Sequence, residues 1–338
     1  MGTRKGTYTI IMAAPPSIAG IGTVGCNKEA QGPMAPYIDI LGEDAYFGQK
    51  SWEKAESQMQ KTAVDLALKD CNLSYTQIDN LFAGDLLNQC IGSHYGLRET
   101  NIPFLGLYGA CSTMAEGLAL SAMFVDSGMA NNAMAVTSSH FCSAERQFRF
   151  PLEYAALRTP TAQWTVTGSG AAVVSPQSSV PYIKAVSFGS IIDKGVTDIN
   201  NMGAAMAPAA AQTLQRFFKD TLTGPDNYDL ILTGDLGAVG SELLHQLMER
   251  AHYRLRKNHS DCGLMIYDTE TQNVHAGASG AGCCATVLCS YVVKSMRAGR
   301  LNEVLFVATG ALMSTLSIQQ GESIPSVAHL VHLSTSPR

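Results

Sequence analysis

Cys111 has the most nucleophilic side-chain type in a position to use it. It lies in Gly109-Ala110-Cys111-Ser112-Thr113 (GACST), after the apolar, strand-like run IPFLGLYGA and before MAEGLALSAMFVDSG, which has helical character. A strand-to-helix turn presents such a side chain to the helix N-terminus, where unpaired amides favour a thiolate. Two uses follow. The thiol is a nucleophile, or, since cysteine is among the most often buried residue types, it forms the floor of a binding pocket.

Two aspartates stand on similar turns, Asp85 in FAGDLL and Asp235 in LTGDLG. Asp85 ends the strand NLFAGD at the carboxyl edge of a sheet, where open parallel sheets bind ligands. The alternative is turn chemistry, because Gly-Asp is a common turn dipeptide. Of the histidines, His140 ends the strand-like AMAVTSSH. His259, in KNHSDCGLMIYD, reads as a loop residue before an apolar strand, and His329, in IPSVAHLVHL near the last strand, reads equally as a core histidine.

These residues are positioned by a duplicated unit. Helix-like QKTAVDLALKD (60–70) leads to the strand IDNLFAGDLL, and AQTLQRFFKD (211–220) leads to YDLILTGDLG, so that Asp70, Asp79 and Asp85 recur 150 positions later as Asp220, Asp229 and Asp235. Further on, residues 111–139 are echoed by 282–310, each reading as helix, glycine-containing turn and strand. The period is too long for a solenoid and indicates two copies of one α/β unit, 1–178 and 179–338. Alternating apolar strands and helices imply a mostly parallel sheet covered on both faces.

The 338 residues are 46% hydrophobic, enough for a large core, and the formal net charge of -5 with scattered basic residues argues against nucleic-acid binding. Nine cysteines at irregular spacing, with Cys283 and Cys284 adjacent and no CxxC, give neither a zinc pattern nor a disulfide framework. The first apolar run is broken by Pro15 and Pro16, and no segment reaches the length of a membrane span without interruption. The expectation is a globular chain with reduced thiols.

The GACS turn, the small-residue stretch TGSGAAVVS (167–175) and GASGAGCCATVL (277–288) resemble the thiolase superfamily of thiolases and 3-oxoacyl synthases. The resemblance covers essentially the whole chain. It implies an α/β, thiolase-like fold of two duplicated halves in a layered α-β-α-β-α arrangement, with two buried helices whose N-termini face the site. It also implies catalytic partners for Cys111, and here the pattern departs. NVHAGASGAG holds His275 one residue too close and lacks the family's proline, and TGDLGAVGSELL has neither His nor Asn where the second-half motif belongs.

Longer strings, FAGDLLNQ, IPFLGLYGACST, SAERQFRFPLEY, YDLILTGDLG and HSDCGLMIY, resemble the stage V sporulation protein AD family. That resemblance implies a protein that binds dipicolinic acid, pyridine-2,6-dicarboxylate, and works with membrane proteins of the stage V sporulation A transport assembly. It would be peripheral to the inner membrane of the forespore or spore, and no reaction is assigned to it. The binding role carries over to Asp85 and Cys111, with Ser112, Asn88, His140, His259 and His329 as further candidates. Arg146 and Arg149 of ERQFRF would hold a second carboxylate bidentately, or else belong to a solvated charged turn. No cofactor is expected, although calcium could accompany the ligand and be held by Asp85. Superfamily relatives imply a homodimer formed at sheet edges. The competing expectation is an acyltransferase using Cys111 with His140 or His259 as base, and a third is a structural dimer subunit with a dead pocket.

Overall fold

A computed structural model describes residues 2–148, 158–255 and 257–337. The repeat in the sequence is a repeat in space. The first half carries strands β1 (Ser17–Gly25), β2 (Asn80–Gly84), β3 (Phe104–Gly106), β4 (Ala133–Ser139) and β5 (Gly168–Ser175), ordered β1-β5-β4-β2-β3. The second carries β6 (Tyr182–Ser187), β7 (Leu230–Thr233), β8 (His259–Asp261), β9 (Glu303–Ala311) and β10 (Ser326–Ser334), ordered β6-β10-β9-β7-β8. Directions match as well. β5 is antiparallel to β1 and β4 while β4, β2 and β3 run parallel, and β10 is antiparallel to β6 and β9 while β9, β7 and β8 run parallel. The halves join where Tyr182 of β6 pairs with Ser17 of β1.

Helices α1 (Trp52–Asp70), α2 (Ile91–Leu97), α3 (Thr113–Asp126) and α4 (Phe141–Phe148) belong to the first half. The second has α5 (Met202–Thr221), α6 (Gly237–Arg250), α7 (Cys262–Met265) and α8 (Ala281–Val287), which continues through a π turn to Arg297. α1 buries Ala55, Met59, Ala63 and Ala67, spaced four apart, on the outer face of the first sheet half, with Ser51 accepting the Lys54 amide as N-cap. α5 covers the second half in the same way through Leu214, Phe217 and Phe218. Between them, α3 and α8 share one core in which Met114 and Leu118 are grouped with Val287 and Leu288, all without exposed surface. A helix apolar on every side belongs in such a middle layer. The result is the thiolase-like α-β-α-β-α order.

The repeated aspartates hold equivalent joints. Asp79 Oδ2 accepts the amides of Asn131 (2.6 Å) and Asn132 (3.2 Å) ahead of β4, and Asp229 Oδ2 accepts those of Asn302 (2.7 Å) and Glu303 (3.1 Å) at the start of β9. Asp70 Oδ2 accepts the Ile21 amide on β1, and Asp220 accepts the amides of Thr7, Tyr8 and Thr9. Two local expectations are corrected. His259 opens the short strand β8, and the apolar residues after it form the helical turn α7 rather than a strand, because Asp261 caps that turn by accepting the Gly263 amide at 3.0 Å. The stretch holding Arg146 is helix α4, not a turn.

Candidate functional site

Cys111 lies at the inner end of a cavity between the halves. β3 runs into a turn in which Ala110 has the left-handed φ of 50°, and residues Ala110–Ser112 form a short 3-10 turn that continues into α3. Leu86, Tyr108 and Phe148 from the first half face Met202, Ala311 and Met313 from the second, with Glu145, Thr165 and Ser279 as polar lining. The empty space is about 570 Å³, counting its open mouth. Two glycines let the halves close on the turn. A Cβ on Gly310 of β9 would come within 2.1 Å of the Gly109 carbonyl oxygen, and one on Gly282 of α8 within 2.3 Å of that of Gly168.

The electrostatics of Cys111 run against the thiolate expected from its place at a helix end. Burial, and then the neighbouring Asp235 carboxylate, raise its thiol well above the ordinary range. Desolvation disfavours the thiolate, and a facing anion adds to it, so the helix dipole is outweighed. Asp235, 1% exposed, accepts from Thr309 Oγ1 at 2.8 Å and from the Gly280 amide at 3.1 Å, and its carboxyl neighbours the Cys111 thiol. Its carboxyl is pushed up to about 6 by burial, with the Cys111 thiol and the two donors acting the other way. The segment TGDLGAVGSELL, which lacks the His or Asn the superfamily resemblance called for, thus sets an acid beside the thiol.

Asp85 is fully buried and does not line the cavity, although its neighbour Leu86 does. Its carboxylate accepts the amides of Leu87 (2.9 Å) and Ser93 (2.7 Å) and the Ser93 hydroxyl (2.7 Å), closing a loop in which Gln89 and Cys90 both have positive φ. The buried Glu56 is the second carboxyl of this network. It accepts from Ser138 and Ser143 hydroxyls at 3.1 and 3.0 Å, while the Gln60 amide bridges Ser93 and Ser138. Burial and then Asp85 push Glu56 up to about 8, and burial raises Asp85 as well. With its carboxyl at about 8, Glu56 is mostly protonated at neutral pH.

The other candidates are dispersed. Ser112 is buried beside Cys111, its hydroxyl donating to the Gly109 carbonyl at 2.6 Å. His140 turns its Nε2 to the Ala45 carbonyl (2.7 Å) while Nδ1 accepts the Cys142 amide, and burial lowers its pKa. It does not line the cavity. Asn88 and Arg146 share a shallow surface hollow, where Asn88 bonds Gln147 at 3.1 Å and Arg146 pairs with Glu53 beside Trp52. Arg149 lies outside the described residues. His259 bonds His245 (2.9 Å) and Thr233 (3.2 Å) and is pushed down to about 3 by burial and by His245. His329 sits in β10, its Nδ1 accepting the Gly189 amide, and burial lowers it to about 4. Among the described residues no group of three or more His, Cys, Asp and Glu side chains is arranged to hold a metal ion. The cavity's own polar wall, Glu145 paired with Arg158 (3.5 Å) and accepting from Thr165 (3.2 Å), escaped the sequence reading. Its only signal was the position of Glu145 in SAERQF, next to the arginines that drew the eye.

Two matched α/β halves, two buried helices and a cysteine at the start of the first define a thiolase-like fold. Solved structures share that fold. The 3-oxoacyl-[acyl-carrier-protein] synthase III of Aquifex aeolicus matches with a TM-score of 0.56 at 13% identity, over 94% of this chain and 99% of its own. A Xanthomonas campestris OleA structure matches at 0.59 and 14%, over 95% and 98%. The chain belongs to the stage V sporulation protein AD (SpoVAD) family, whose family model matches residues 6–334. Stage V sporulation protein AD of Bacillus subtilis is 46% identical over 324 residues, 96% of each chain.

Proposed function

We propose that this chain binds dipicolinic acid without transforming it and delivers it, free or as its calcium chelate, to membrane proteins of the stage V sporulation A assembly during loading of the spore. The observation that carries the non-catalytic part is the pairing of Cys111 with Asp235. A condensing-enzyme thiol needs a group that draws off its proton and donors that hold an oxyanion. A carboxylate facing the thiol raises the thiol's pKa and repels an oxyanion. Binding needs only shape and a few polar groups, and the cavity has apolar walls in Tyr108, Phe148 and Met202 with the hydroxyls of Thr165 and Ser279. Family membership supports the sporulation setting.

Membrane association would come through partners, since no helix of the described residues is long and apolar enough to cross a bilayer. A second copy would fit along β3, which among the described residues is hydrogen-bonded on one side only and carries Leu105 and, just beyond it, Tyr108, 37% and 44% exposed.

The test is calorimetric titration with dipicolinate, with and without calcium, alongside thermal unfolding. Ligand at a hundredfold excess over its dissociation constant should stabilise the fold by about 2.7 kcal/mol. No binding under either condition would remove the proposal.

A further inference from the structure

The floor of the cavity has the wrong charge for the ligand proposed above. A dicarboxylate entering it meets Cys111 and Ser279 on the lining, and the Asp235 carboxylate, outside the lining, neighbours that thiol and accepts the amide of Gly280 next to Ser279. The groups that act on Asp235 come from several elements: Cys111 at the start of α3, Gly280 at the start of α8, and Thr309 on β9. Asp235 in turn acts on Asp261 at the end of β8, on Cys262 of α7, and on Cys283 and Cys284 of α8. These are acids or neutral donors, and among the described residues no cation is part of this set. The cavity wall adds Glu145, which is engaged with Arg158. A like charge brought against a buried carboxylate favours its neutral form.

Resting on the dipicolinate reading, we propose that Asp235 makes binding in the Cys111 cavity proton-coupled, one proton being taken from solvent as each dicarboxylate enters and residing on the Asp235 carboxyl group. The balance is simple: a dianion, a carboxylate and a proton give a complex of the dianion with a carboxylic acid, and no bond other than the new O–H is formed. The site accommodates the acid form. The Thr309 hydroxyl, which donates to Oδ1 at 2.8 Å, can rotate to accept instead, and the Gly280 amide continues to donate to Oδ2. With its carboxyl at about 6, Asp235 is ionised in the empty protein near neutrality, and the entering dianion must raise it by roughly two units or more for it to hold the proton at about pH 7.5.

Two consequences separate this role from a structural one. Affinity for a ligand that is itself fully ionised falls as pH rises above neutrality, by up to about tenfold per unit. The binding enthalpy also depends on the buffer, because the buffer supplies the proton.

The experiment is calorimetric titration of the full chain with dipicolinate at about pH 7.5 in phosphate and in Tris, with the wild type and with Asp235→Asn. The amide can accept from Gly280 and donate to Thr309, so it keeps both contacts. Expected is an uptake approaching one proton per ligand in the wild type and none in Asp235→Asn, whose affinity becomes flat with pH. Wild-type enthalpies equal in both buffers, or the same uptake in the variant, would overturn the inference while leaving dipicolinate binding intact. If Asp235→Asn does not fold, the wild-type buffer dependence and pH profile decide alone. Absence of wild-type binding in both buffers would fail the proposed function itself, and this inference with it.

Discussion

Asp85 and Asp235 end equivalent strands of the two halves, yet their carboxylates find their donors at different ranges. Asp85 folds back onto the Leu87 and Ser93 amides of its own loop, whereas Asp235 takes the Gly280 amide and the Thr309 hydroxyl from distant segments and neighbours the thiol of the other half, Cys111. Duplication supplied the two acids, and the loops that follow them decided their work. The α2 side provides Ser93 as a local donor, while after Asp235 the local amides of Leu236 and Gly237 are taken by Asp261 at 2.9 and 3.0 Å.

The first prediction concerns the thiol. With its pKa raised by burial and by Asp235, Cys111 should alkylate far more slowly than a free cysteine at pH 8, and Asp235→Asn should accelerate it several-fold. Incubation with acetyl-CoA should leave no acetyl group on Cys111 by intact mass. An adduct that disappears in Cys111→Ser would restore the acyltransferase reading.

The Glu56 and Asp85 pair predicts a pH dependence of stability. Both carboxyls are raised in the folded state, Glu56 from its usual 4.5 to about 8. A raised acid stabilises the fold fully below its unfolded value, and that contribution is lost as pH climbs through the folded one. Stability should therefore decline between about pH 4.5 and 8 through this pair. Glu56→Gln should flatten the decline by roughly 1 kcal/mol or more in denaturant titrations at the two ends of that range. An unchanged slope would mean that Glu56 is not held protonated in the folded state.

Filling the cavity should separate binding from folding. Ala311→Leu places extra volume on the β9 wall, and a loss of at least about tenfold in dipicolinate affinity is expected, equal to about 1.4 kcal/mol. The variant's melting temperature without ligand should stay within a few degrees of wild type. Undiminished affinity would place the ligand elsewhere.

The duplication itself can be tested. Asp79→Ala and Asp229→Ala each remove a carboxylate that accepts two backbone amides at a strand entry. Each should lower stability by about 1 kcal/mol, and the two losses should add, because the joints lie in different halves.

The repeat was legible because it is local. Helix, turn and strand recur in order, and an aspartate that caps the next strand leaves the same mark in both copies, as Asp79 and Asp229 show. What was not legible is direction. His140 ends its strand as expected, but its ring is claimed by the Ala45 carbonyl, a residue 95 positions away. Asp235 was visible as the counterpart of Asp85, while its contact with Cys111 depends on α8 bringing Gly280 alongside. The arginines of α4 looked like ligands because charge is conspicuous in sequence. Glu53 and Trp52 on the first turn of α1 take Arg146, and only the packed fold reveals that pairing.

The close approach of Gly310 to the Gly109 carbonyl, and of Gly282 to that of Gly168, leaves neither half room to slide on the other. A cavity built across such a seam has its outline set by both halves at once, so discrimination between guests would rest on outline before any polar contact is made. It also begins each encounter with its walls in place, so little ordering of the chain is charged against affinity. A methyl group at Gly310 would then act as a wedge, dulling recognition at Cys111 from the far side of the seam without touching a guest at all.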